Sequence, residues 1–272
     1  VLGACVVSLA GAAEPDQAAK ETSDAQRAKH LAHMKELAAS IRLLADARRE
    51  DSAVKLMDKP ILRYSDNTRA TYESSLWIWS AGGRPAAVLA VEYYPKAVPE
   101  PRWLYEIASL STERIAARRE PDLRWTAKEP GLDLRALDGA GPPAEKAARR
   151  LTQMKEVQRR FTAHERATLE GRIELRPLSS PLFRYSQADA GILDGAIFAL
   201  ANGTNPEVLL VLEAHMAKDG TATWHYGLVQ MSGEPLVVEL DGKEVWKRAG
   251  ADPPAVRDSY VNGWLSAEMK GK

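Results

Sequence analysis

The chain has 272 residues, 45% of them apolar and 27% charged, with 37 basic and 37 acidic side chains that cancel. That length suits one large domain or two ordinary ones, and the lack of a basic excess excludes a phosphate-tracking nucleic-acid binder. Cys5 is the only cysteine, which excludes disulfides and thiolate metal sites.

Residues 1–13 carry no charge, end at Ala10-Gly11-Ala12-Ala13 and run into Glu14-Pro15-Asp16. That is the apolar region and small-residue cleavage site of a secretory signal whose basic start is missing, and it is too short to span a bilayer. The protein is therefore expected to be exported, to the periplasm or beyond. Leu2-Gly3-Ala4-Cys5 also resembles a lipobox, which would anchor the chain through Cys5, although apolar sequence continues past it. No later run is long enough for a transmembrane span, and residues 14–22 read as flexible.

An amphipathic helix is predicted over residues 23–49, because Leu31, Met34, Leu37, Ile41 and Leu44 recur at steps of three and four. Short β-rich runs follow at 61–65, 74–80, 87–94, 103–109 and 114–118, with a hairpin turn at Gly82-Gly83-Arg84-Pro85. Strands this close together must pair antiparallel. A Gly-, Pro- and Ala-rich stretch at 131–142 reads as a linker.

From there the pattern repeats. Shifted by 121 positions, Pro60, Arg63, Tyr64, Gly82, Glu92, Trp103 and Trp125 meet Pro181, Arg184, Tyr185, Gly203, Glu213, Trp224 and Trp246 without a gap. A second helix is predicted after Pro142-Pro143, with Leu151, Met154, Val157, Phe161 and His164 as its stripe. Strands are predicted at 182–186, 196–201, 208–215, 223–231 and 236–240. The expected class is thus α+β: two tandem units at 23–130 and 143–250, each one amphipathic helix followed by an antiparallel four- or five-stranded meander. A C-terminal tail covers 251–272, and the two sheets should either face each other or join edge to edge.

Residues shared by both copies read as structural: Arg63, Glu92 and Trp103 with Arg184, Glu213 and Trp224, the arginines and glutamates pairing across strands to set register. Residues that differ between copies are free to specialise. Trp77, Trp79, Tyr93 and Tyr94 form a candidate ligand surface, an aromatic platform for sugars or peptides, against the alternative that they fill an internal interface. His215 and His225 flank the Asp219-Gly220 turn and form a candidate polar site, half a zinc site at best. His30 and His33 read as a solvated helical pair. No nucleophile elbow, phosphate loop or metalloprotease motif occurs, so no catalytic residue, cofactor or metal is assigned.

The phrases Leu175-Arg176-Pro177-Leu178, Leu193-Asp194-Gly195-Ala196-Ile197-Phe198-Ala199 and Pro206-Glu207-Val208-Leu209-Leu210-Val211-Leu212-Glu213-Ala214 resemble a family of uncharacterised exported proteins of planctomycete bacteria. The resemblance implies export and architecture, and no activity. The expected function is a non-catalytic binding protein whose partner is a protein or glycan of the cell envelope. The alternatives are an extracytoplasmic hydrolase using a carboxylate or His pair and a structural accessory of an envelope complex.

Overall fold

The computed structural model describes residues 14–66, 71–80, 82–95, 102–167, 171–250, 255–256 and 258–265. Residues 1–13, expected to be a signal segment and including Cys5, and much of the expected tail lie outside the described residues.

Helix α1 (Glu14–Ser40) includes the stretch expected to be flexible. It stops well before residue 49, because Ile41, Leu43 and Leu44 are all buried, which helical spacing cannot arrange on one narrow stripe. The chain instead extends into β1 (Arg42–Leu44) and β2 (Ala53–Val54). Next come β3 (Leu62–Asp66), β4 (Thr71–Trp79), β5 (Ala87–Tyr94), β6 (Arg102–Ser109), β7 (Ala116–Arg119), β8 (Leu123–Thr126) and β9 (Arg135–Ala136). Helix α2 (Ala147–Gln158) is likewise cut short, and Phe161 and His164 of its predicted stripe lie in β10 (Phe161–Ala167). The chain continues through β11 (Gly171–Pro177), β12 (Phe183–Gln187), β13 (Ile192–Asn202), β14 (Asn205–Met216), β15 (Ala222–Gln230), β16 (Leu236–Leu240) and β17 (Lys243–Arg248). It ends with β18 (Ala255–Val256) and β19 (Tyr260–Leu265).

These strands form three antiparallel sheets: a four-stranded one ordered β2-β1-β7-β8, a six-stranded one ordered β18-β19-β6-β5-β4-β3, and a nine-stranded one. The last runs β17-β16-β10-β11-β13-β14-β15-β9, with β12 also paired to β13. The α+β expectation of two tandem helix-plus-meander units is therefore corrected. Strands make up 51% of the protein, and the large sheets curl into a half-barrel. Three pairings break the tandem order. β19, from the expected tail, extends the six-stranded sheet beside β6, with Tyr260 opposite Ala108. β9, from the expected linker, pairs with β15. β7 and β8 leave the meander to join β1. Register shifts in β12–β13 and β13–β14 add local twist and bending of the kind bulges produce.

Period-two alternation decides which face each residue buries. On β4, Leu76 and Ile78 point one way and Trp77 and Trp79 the other; on β14, Leu209 and Val211 oppose Leu210 and Leu212. The first set of each strand meets in one layer, so the six- and nine-stranded sheets pack face to face through Leu76, Ile78, Val88, Ile197, Leu209 and Val211. The outer face of the six-stranded sheet packs under Met34 and Leu37 of α1 and under Leu43 and Trp125 of the small sheet. The outer face of the nine-stranded sheet packs under Met154 and Val157 of α2. Burial on both faces explains the continuous apolar runs of β5 and β14.

The two glycine hairpins lock the sheets together. Gly83 sits at φ +80°, and a Cβ there would stand 2.7 Å from Gln187 Oε1, so only glycine lets the β4–β5 turn dock on β12. In return, Thr204 of the β13–β14 turn donates its hydroxyl to the Ser65 carbonyl at 2.8 Å.

Candidate functional site

The aromatic platform is not presented to solvent. Trp77 and Trp79 are 0% and 1% exposed, sealed beneath α1 and the small sheet. Tyr94 lies on the opposite sheet face, edge-on to Trp264 at 5.4 Å, and donates its hydroxyl to Glu92 at 2.9 Å. Tyr93, half-buried, faces α1 at the rim of the same layer, with its ring 4.8 Å from that of His30 and 4.7 Å from Trp103.

The structure does bring His215 and His225 together, with ring centroids 4.6 Å apart on paired strands. Their anchor is Glu213, which is fully buried. Its Oε2 lies 2.5 Å from His215 Nε2, and Tyr185 donates its hydroxyl to Oε1 at 2.5 Å. Arg84, reaching across from the β4–β5 turn, donates to both oxygens at 2.7 and 2.6 Å. Burial alone would raise the Glu213 carboxyl, but the hydrogen bonds from Arg84, His215 and Tyr185 outweigh it and hold the value at about 2. Burial, reinforced by the Glu213 charge, pushes the Tyr185 phenol up, and burial together with His215 pushes His225 down. A carboxylate engaged by four donor contacts in this way holds strands together, and little of it is left for a ligand.

The expected pairing of Arg63 with Glu92 and of Arg184 with Glu213 is replaced by pairs with a carboxylate of the adjacent strand, Glu73 on β4 and Asp194 on β13. Arg184 donates to Asp194 at 2.8 and 2.5 Å, Arg150 of α2 adds a contact at 2.9 Å, and the cluster is closed. The corresponding carboxylate 121 positions earlier, Glu73, is arranged differently. Glu73, Tyr93 and Trp103 are successive partners across β4, β5 and β6, so their side chains share the face that α1 covers. His30 Nδ1 lies 2.9 Å from Glu73 Oε2. Glu73 Oε1 is buried and accepts no hydrogen bond among the described residues, while Arg27 Nε and Arg63 Nη2 stand off at 3.7 and 3.8 Å. Those distances hold an ion pair but not a hydrogen bond, and an orphaned buried acceptor costs about 1–3 kcal/mol.

Over this carboxylate opens a groove of 760 Å³ between α1 and the β3–β4 edge, lined among others by Arg27, Leu31, Arg63, Glu73, Ser74 and Thr204. The buried Ser74 hydroxyl is also without a hydrogen-bond partner among the described residues. His30 and His33, expected to be solvated, are largely buried, at 14% and 13% side-chain exposure; His33 packs 4.9 Å from the Trp103 ring, and burial lowers its pKa. No group of three or more His, Cys, Asp or Glu side chains placed to hold a metal occurs among the described residues. Nor, among them, is any helix long and apolar enough to cross a membrane.

Glu73 and Arg84 were the residues that sequence reasoning passed over. Arg84 stands 121 positions before Asn205, so the shift that sets Arg63 against Arg184 gives it no cationic counterpart. No known protein family, curated protein or solved structure matches the chain.

Proposed function

We propose that this is an exported, non-catalytic binding protein of the cell envelope whose ligand carries an anionic group and occupies the α1 groove. The observation that carries this reading is the pair of guanidiniums, Arg27 and Arg63, held near Glu73 within ion-pair but beyond hydrogen-bond distance, where the second half of the chain closes its equivalent carboxylate with Arg150 and Arg184. Arg63 keeps 46% of its side chain exposed, so its donors face the groove and the solvent. Planar guanidinium donors match carboxylate and phosphate geometry.

Binding is favoured over hydrolysis because the His215 imidazole leans on Glu213, a carboxylate already engaged by Arg84 and Tyr185. Export rests on the apolar leader, with Cys5 as the alternative lipid anchor. Calorimetric titration of the purified chain with small carboxylates, zwitterions and inorganic phosphate tests the reading. Saturable binding that disappears in Arg63→Ala, with the fold intact by circular dichroism, supports it. Heat of dilution alone across the panel refutes it.

A further inference from the structure

We propose that the ligand of this groove is an α-amino acid with an aliphatic side chain, held by both of its charges; this rests on the anion-binding reading above and adds a cationic end. The key atom is Glu73 Oε1. His30 occupies the other carboxylate oxygen at 2.9 Å, so Oε1 is the acceptor left without a hydrogen bond among the described residues. The Glu73 side chain is 9% exposed and lies at the base of the groove, with Arg27 and Arg63 flanking the same oxygen.

A group that enters between a carboxylate and two guanidiniums must donate to the first and accept from the second. Phosphate or a simple carboxylate satisfies the arginines but sets negative charge against Glu73, which is unfavourable in a partly buried site. An amine alone satisfies Glu73 but repels the arginines. An α-amino acid places an ammonium and a carboxylate two bonds apart and meets both demands, drawing Arg27 and Arg63 from long contacts into hydrogen bonds. Ala28 and Leu31 supply an apolar helical wall for the side chain, and 760 Å³ leaves ample room for one.

The second half shows what the site looks like without a ligand's share. Asp194, shorter by one methylene, draws Arg184 and Arg150 to 2.5–2.9 Å, and Ala214 replaces Tyr93 in the row beside it. The two carboxylates occupy matching strand positions, so the looser first site is a difference in side chains and not in backbone placement.

The test is titration calorimetry with leucine, 4-methylpentanoate (which lacks the ammonium) and 3-methylbutylamine (which lacks the carboxylate), on the wild-type chain and on Glu73→Gln and Arg63→Ala. Leucine is expected to bind at least about tenfold more tightly than either analogue, the worth of one hydrogen bond to a charged group. Glu73→Gln should erase its advantage over 4-methylpentanoate, and Arg63→Ala its advantage over the amine. If 4-methylpentanoate binds as well as leucine and Glu73→Gln changes neither, the amino-acid assignment falls while the anion site stands. If none of the three binds, and phosphate does not either, both readings fall. Circular dichroism and urea unfolding of Glu73→Gln and Arg63→Ala separate loss of recognition from loss of fold.

Discussion

Replacing Arg84 with alanine removes the one cation that reaches from the β4–β5 turn to the fully buried Glu213. Arg84, His215 and Tyr185 together hold Glu213 at about 2 against an ordinary glutamate value of 4.5, a difference equivalent to about 3 kcal/mol of folding stability for the whole cluster. Breaking a buried ion pair by deleting one partner costs about 3–5 kcal/mol. Tyr185 and His215 still donate to the carboxylate, so the lower end applies, about 3 kcal/mol. For a chain of this size that lowers the melting temperature by about 6–12 °C. Because the folded carboxyl is depressed, its contribution is fully present above pH 4.5 and is lost as pH falls towards 2. Urea unfolding at pH 7 and at stepped acid pH reads both effects. Glu213→Gln should flatten the acid limb, and Arg84→Ala/Glu213→Gln should be more stable than Arg84→Ala, since no buried charge is left uncompensated. A loss below about 1 kcal/mol for Arg84→Ala, or a double variant no better than the single, would refute the account of this cluster.

Trp77→Ala should destabilise the protein by about 3–5 kcal/mol, the range for emptying a buried aromatic site; full stability by urea unfolding would contradict its place under α1. Gly82 and Gly83 both have positive φ, but an added Cβ meets open space at Gly82 and the Gln187 side chain at Gly83. Gly82→Ala should therefore cost about 1–2 kcal/mol, and Gly83→Ala measurably more, with equal melting temperatures counting against the docked turn. Burial and the neighbouring His215 lower the His225 pKa, so its imidazole resonances should titrate below 6.5, and a value above that would remove the packing of the two rings.

Much of the strand set was legible from turn residues and β-rich runs: β5 and β16 lie where the pattern places them, and the antiparallel pairing follows from short connections. The fold class was not. Leu44 and His164 sit at helical spacing from true helix residues, yet both are extended, because Leu43 and Ala163 beside them are buried too and only a strand or an irregular segment accommodates that. The pairing of β19 with β6 joins residues more than 150 positions apart, and no local pattern encodes such a partner. His215 and His225 were legible as neighbours because a single hairpin joins them. Glu73 was not legible as a site, since its partners come from α1 and β3 and its looseness shows only against the closed Asp194 cluster. The aromatic residues misled in the usual direction, because an unshared tryptophan fills an interior as readily as it faces a ligand.

The groove over Glu73 is tested most directly by following backbone amide resonances of isotopically labelled protein during titration with leucine. Saturable shifts concentrated at Arg27, Leu31, Arg63 and Glu73, with Asp194 and its neighbours unmoved, are the expected result. Unchanged spectra at millimolar leucine, or shifts confined to the second half of the chain, would contradict it.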